Sequence, residues 1–115
     1  MNPEHQQQVI LVIDDNPANL GVISDYLEGA GFDILIACDG EDGIAKAERG
    51  HPDLILLDVI LPGINGFETC RRLQAKPDTT DIPVIFMTAL TDVEEKVKGF
   101  AAGGVDYITK PFQEE

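Results

Sequence analysis

The chain has 115 residues, enough for one domain that buries roughly two thirds of its unfolded surface. Its composition is ordinary for a globular protein, but 8 Lys and Arg against 21 Asp and Glu leave a net charge of −13. That balance argues against direct nucleic-acid binding by the domain and favours cations or basic partner surfaces.

Residues 1–8 read as a mobile polar tail, with His5 a solvated member of it. The start of the chain is no signal peptide, and no apolar run approaches the ~18 residues of a membrane span, so a soluble, cytoplasmic chain without membrane contact is expected. Cys38 and Cys70 lie far apart, and with only two histidines they offer no structural zinc set. Free thiols follow.

Residues 9–13 are five apolar residues, a buried strand. Asp14-Asp15-Asn16-Pro17 follows, with Asn16 suited to cap a helix and Pro17 to open it. Leu20, Ile23, Leu27 and Ala30 repeat at helical spacing until Gly29 and Gly31 mark the exit. The pattern then recurs. Residues 33–37 form a second strand, and 43–48 a weaker helix capped near Asp39. Residues 54–57 form a third strand, and 67–75 a helix entered through Asn65-Gly66. Residues 82–87 form a fourth strand and 92–101 a fourth helix, and 105–108 close the series as a fifth strand. Strands and helices alternating every ~20 to 30 residues imply right-handed βαβ units and a doubly wound parallel sheet. The common order for five strands is 2-1-3-4-5, of the flavodoxin-like kind, with the switch point between strands 1 and 3.

Asp58 interrupts this regularity. It ends the apolar run Leu54-Ile55-Leu56-Leu57, and Val59-Ile60-Leu61 follows before Pro62-Gly63 and Asn65-Gly66 break the chain. An ionised Asp costs several kcal/mol to desolvate unless a cation, a hydrogen bond or water compensates it. Polar residues also follow the other strands: Asp14 and Asp15 after the first, Thr88 after the fourth, Lys110 after the fifth. Taken singly, Asp14 or Asp15 reads as a turn former, Thr88 as a strand or cap residue and Lys110 as a solvated lysine. In a 2-1-3-4-5 sheet they share one edge. Three carboxylates crowded there repel unless a cation sits among them or one takes a proton, and an all-oxygen site open to water suits Mg²⁺. Lys110 and Thr88 add a cation and a hydroxyl, which together describe a pocket for a phosphoryl group.

The stretches Val-Ile-Asp-Asp-Asn at 12–16, Asp-Leu-Ile-Leu-Leu-Asp-Val-Ile-Leu-Pro-Gly-Ile-Asn-Gly at 53–66, Pro-Val-Ile-Phe-Met-Thr-Ala at 83–89 and Gly-Gly-Val-Asp-Tyr-Ile-Thr-Lys-Pro-Phe at 103–112 resemble the receiver domain of bacterial two-component response regulators. The resemblance covers nearly the whole chain and assigns residues 9–115 to a CheY-like phosphoacceptor domain. It implies that Asp58 accepts a phosphoryl group from a phosphohistidine on a sensor histidine kinase or a histidine phosphotransfer protein. Asp15 and Asp58 would hold Mg²⁺ directly, with the backbone carbonyl of Ile60, and Asp14 would do so through water; Mn²⁺ would be an acceptable substitute. Lys110 and Thr88 would contact phosphoryl oxygens, and Tyr107 would be the switch aromatic that follows Thr88. The Lys110–Pro111 bond resembles the family's cis peptide. Such a domain is a signalling module, regulating an output domain or effector that the sequence leaves unnamed, and no enzyme in the ordinary sense.

Two departures stand out. The family continues after Lys-Pro-Phe with a fifth helix, whereas this chain has only Gln113-Glu114-Glu115, so reduced stability or self-association through the uncovered face is expected. Ile60 and Leu90, each two residues beyond Asp58 and Thr88, are bulky and apolar where the family flanks the phosphoryl group, which predicts slow loss of phosphate. A phosphohydrolase of the haloacid-dehalogenase class would place D-x-D after the first strand, where this chain has Asp14-Asp15-Asn16. Neither G-x-x-x-x-G-K-[ST] nor G-x-G-x-x-G follows any strand, against a nucleotide-binding role. The intact acidic set, with Thr88 and Lys110, argues against a receiver-like fold that works without phosphorylation.

Overall fold

The computed structural model describes residues 8–87 and Val97. Within them the chain runs β1 (Val9–Ile13), α1 (Pro17–Gly29), β2 (Asp33–Ala37), α2 (Gly40–Gly50), β3 (Leu54–Asp58), α3 (Gly66–Ala75) and β4 (Val84–Met87). The four strands form one parallel sheet in the order β2-β1-β3-β4. Strand order reverses between β1 and β3, as expected. The expected fifth strand, the fourth helix apart from Val97, the segment after Phe112 and the Lys110–Pro111 bond lie outside the described residues.

Each helix starts where a side chain can satisfy free N–H groups. Asn16 accepts from the amides of Ala18 and Asn19 ahead of Pro17, Asp39 from Asp42, and Asn65 from Glu68. α2 therefore begins at Gly40, three residues before its first core-facing isoleucine would suggest. Gly40 is buried there, so close to Thr69 of α3 that a Cβ would fall 2.2 Å from its Oγ1. At the other end His51, at φ 48°, closes α2 in the left-handed region.

β1 and β3 read as continuous apolar runs because both of their faces are covered. On one face Leu11, Ile13, Ile55 and Leu57 pack with Ile44 and Ala47 of α2 and Cys70 and Leu73 of α3. On the other, Ile10, Val12, Leu54 and Leu56 pack with Ile23 and Leu27 of α1 and with Val97. Cys70 is buried and Cys38 exposed, and neither is in a disulfide. No described helix is long and apolar enough to cross a membrane.

The fourth strand is shorter than its apolar run. β4 starts at Val84 rather than residue 82, because the Ile82 amide donates to Thr79 O in a turn and Pro83 has no N–H to give. Thr79 anchors that turn: its amide donates to Lys76 O at 3.1 Å, and its buried hydroxyl to Leu73 O at 2.6 Å. β3, by contrast, extends one residue beyond its apolar run, so that Asp58 is its last paired residue, opposite Met87.

Replacing Thr79 by Val keeps the shape but removes the hydroxyl. We expect a loss of ~1 kcal/mol, read by urea unfolding with an unchanged m-value, and near wild-type stability for Thr79→Ser.

Candidate functional site

The register of β1 with β3 pairs Ile13 with Leu57, so the residues that follow, Asp14 and Asp58, come side by side at the strand ends. Asp14 is held there from three directions. Its amide donates to Ala37 O at 3.1 Å, while its carboxylate accepts from the Asn16 amide at 2.9 Å and from Asn19 Nδ2 at 3.4 Å. It is 2% exposed, and these bonds are what make a carboxylate tolerable at that depth. Asp15 is exposed, and Asp58 is half-buried.

Carboxylate oxygens of Asp14, Asp15 and Asp58 all lie within 4.8 Å of one another. Burial pushes the Asp58 carboxyl above its ordinary value, and the Asp14 charge adds to the effect. The backbone N–H groups of Ile60 and Val59 oppose it by donating to the ionised form. An all-oxygen donor set with one buried and two solvent-reachable carboxylates fits a hard divalent cation, which would relieve both the repulsion and the desolvation.

The segment after Asp58 alternates inward and outward. Leu61 is buried in the core, Val59 packs partly against it, and Ile60 stands 79% exposed beside the acidic cluster. Gly63, at φ 76°, turns the chain toward α3. Gly66 then presses its backbone onto the strand end: its amide donates to Val59 O at 2.7 Å, and a Cβ would sit 2.2 Å from Asp58 O and 2.8 Å from Val59 Cα.

The structure thus brings Asp14, Asp15 and Asp58 together and sets Ile60 beside them. Thr88, Leu90, Tyr107 and Lys110 lie outside the described residues. Gly66 is the contribution that sequence reasoning missed. Asn65-Gly66 reads as a turn, and nothing local reveals that the glycine must clear the backbone of the site itself.

The family pattern of the response regulator receiver domain matches residues 10–115. Protein PilH of Pseudomonas aeruginosa is 41% identical over 106 residues, which cover 92% of this chain and 88% of PilH. The DNA-binding dual master transcriptional regulator RpaA of Synechocystis sp. is 48% identical over 106 residues, covering 92% of this chain but 44% of RpaA, so the chain spans less than half of that relative's length. Among solved structures, the receiver domain of sensor histidine kinase PA1611 from Pseudomonas aeruginosa PAO1 carries a magnesium ion coordinated in its active-site cleft. It superposes with TM-score 0.71 at 33% identity, covering 94% of this chain and 88% of that one.

Two outcomes follow from the geometry. A carboxyl raised by folding binds its proton more tightly in the folded state, so its ionisation opposes folding at neutral pH. That penalty is absent below the ordinary Asp value and complete above the raised one. In chelator-treated buffer Asp58→Asn is therefore expected to raise the melting temperature at pH 7, with the difference vanishing as pH falls through that window; an unchanged or lower melting temperature at pH 7 contradicts the reading. Gly66→Ala should shift the Asp58 backbone and weaken Mg²⁺ binding at least ~10-fold, about 1.4 kcal/mol, by calorimetry. Equal affinity in a folded variant would show that the close approach does not position the site.

Proposed function

The chain belongs to the response regulator receiver domain family, and from that premise we propose that it is a phosphoacceptor signalling domain in which Asp58 takes a phosphoryl group from a phosphohistidine. Accepting phosphate is the general role of receiver domains, which are signalling modules that work with histidine kinases and output domains. The observation that carries the reading for this chain is the meeting of Asp14, Asp15 and Asp58 within 4.8 Å at the ends of two adjacent buried strands.

Asp58 is the nucleophile in this reading. Its half-buried carboxylate lies at the end of β3, fixed by the Val59 and Ile60 amides. As the O–P bond forms, the P–N bond to the donor imidazole breaks, leaving an acyl phosphate on Asp58 and a neutral histidine once the ring nitrogens hold one proton. Asp15 and Asp58, with the Ile60 carbonyl, would hold Mg²⁺, or Mn²⁺ in its place, with Asp14 acting through water, and the bound ion would supply positive charge for the phosphoryl oxygens. Lys110 adds a second positive charge, and Thr88, next in the chain after the Met87 that pairs with Asp58, supplies a hydroxyl. Tyr107 follows Thr88 as the switch aromatic. Residues 9–115 form the domain and 1–8 its polar tail, working in the cytoplasm.

The phosphoryl donor is a sensor histidine kinase or a histidine phosphotransfer protein. The output is a separate domain or effector. RpaA is a DNA-binding regulator of more than twice this length, whereas the −13 charge of this chain disfavours direct contact with DNA.

Incubation with Mg²⁺ and acetyl phosphate, followed by intact mass, is expected to add one phosphoryl group to wild type and none to Asp58→Ala. Turnover of acetyl phosphate without an adduct would indicate a hydrolase instead, and no reaction a receiver-like fold without the chemistry. Ile60 bears on the lifetime of the adduct. Its side chain, 79% exposed and two residues beyond Asp58, is apolar and offers attacking water no hydrogen bond, so Ile60→Asn is expected to speed phosphate loss several-fold, ~1 kcal/mol off the barrier, in a time course of intact mass. An unchanged decay rate removes Ile60 from the timing of the signal.

A further inference from the structure

Among the described residues β2 is an outer strand of the sheet, and its sequence Asp33-Ile34-Leu35-Ile36-Ala37 is the kind that pairs readily with other strands: four of its five residues are apolar, two of these are β-branched, and none is proline. In a parallel ladder alternate residues turn their backbone groups to the same neighbour. Asp33 donates to Gln8 O and Ala37 accepts from the Asp14 amide, so residues 33, 35 and 37 serve β1. Ile34 and Ile36 therefore direct their N–H and C=O groups away from the sheet. One of those outward carbonyls is taken. Lys46 of α2 places its Nζ 2.6 Å from Ile36 O, and Asp42 holds the same ammonium at 3.1 Å. The Ile36 side chain beside it is 37% exposed.

We propose that Lys46 plugs the β2 edge: it occupies the Ile36 carbonyl and sets a charge where an added strand would have to lie. The occupant it excludes is a second copy of this chain. Two β2 edges paired antiparallel about Leu35 set Ile34 of one copy opposite Ile36 of the other, twice over. Each such pair can exchange both of its outward N–H and C=O groups. The geometry closes as a two-fold dimer. With Lys46 in place the two ammonium groups would meet the same carbonyls that the partner strand needs.

Sedimentation velocity over a concentration series of the 115-residue chain, in ~0.15 M salt to screen the acidic surface, tests the proposal. K46M keeps the aliphatic stem and loses the donor and the charge. Its dimer midpoint should fall at least ~10-fold below that of wild type. K46R should behave as wild type, and adding I36K to K46M should restore the wild-type midpoint by putting a charge back on the edge. A K46M chain that is folded by circular dichroism and sediments as wild type overturns the proposal, as does a dimer that I36K leaves intact. K46A serves as the second variant should K46M not fold; loss of the fold in both would make Lys46 a structural residue of α2 and equally overturn the proposal.

Discussion

Carrying charge to the end of a buried strand pair is the constraint around which this structure is arranged. β1 and β3 have apolar neighbours on both faces, yet each delivers a carboxylate at its C-terminal end, and the Ile13–Leu57 register makes those ends adjacent. At Asp58 burial and the neighbouring Asp14 charge both disfavour ionisation. The chain answers with fixed dipoles: the Asn16 amide and the Asn19 side chain on Asp14, and the Val59 and Ile60 amides on Asp58. What the dipoles leave uncompensated is a concentration of negative charge that favours a divalent cation and, with it, the oxygens of a phosphoryl group.

The surrounding backbone serves the same end. Asn16 both caps α1 and donates its amide to Asp14, so helix entry and site construction are one event. On the other side, α3 can start directly against Asp58 only because Gly66 has no side chain. Asn65 satisfies the Glu68 amide at that start. The outward turn of Ile60 follows from the inward anchoring of Leu61. Ile60, beside the acidic cluster, is therefore positioned by the core packing of its neighbour, as is common where loops carry function on a rigid sheet.

Much of this was legible in the residues. A five-residue apolar run marked β1, and the pattern Asp33 to Ala37 marked β2, to their observed ends, and Asn16-Pro17 marked the start of α1, since these signals are local and chemically specific. Two strands ending in carboxylates also placed Asp14, Asp15 and Asp58 together, because the doubly wound order makes strands 1 and 3 neighbours whatever the detailed packing. Apolarity was a poorer guide to limits. α2 starts at Gly40 because Asp39 caps it and Thr69 admits only a small residue there, and β4 starts at Val84 because Thr79 ties Ile82 into a turn. The need for glycine at position 66 and the reach of Lys46 to Ile36 are contacts between segments distant in sequence, which no local pattern encodes.

The three carboxylates lie close enough to serve as one divalent-cation site. Calorimetric titration of the chain with Mg²⁺, alongside Asp15→Asn and Asp58→Asn, tests it most directly. One saturable Mg²⁺ site in wild type, weakened in both variants, is the predicted result. Wild type that takes up no Mg²⁺, or variants that bind it as tightly as wild type, would contradict the account.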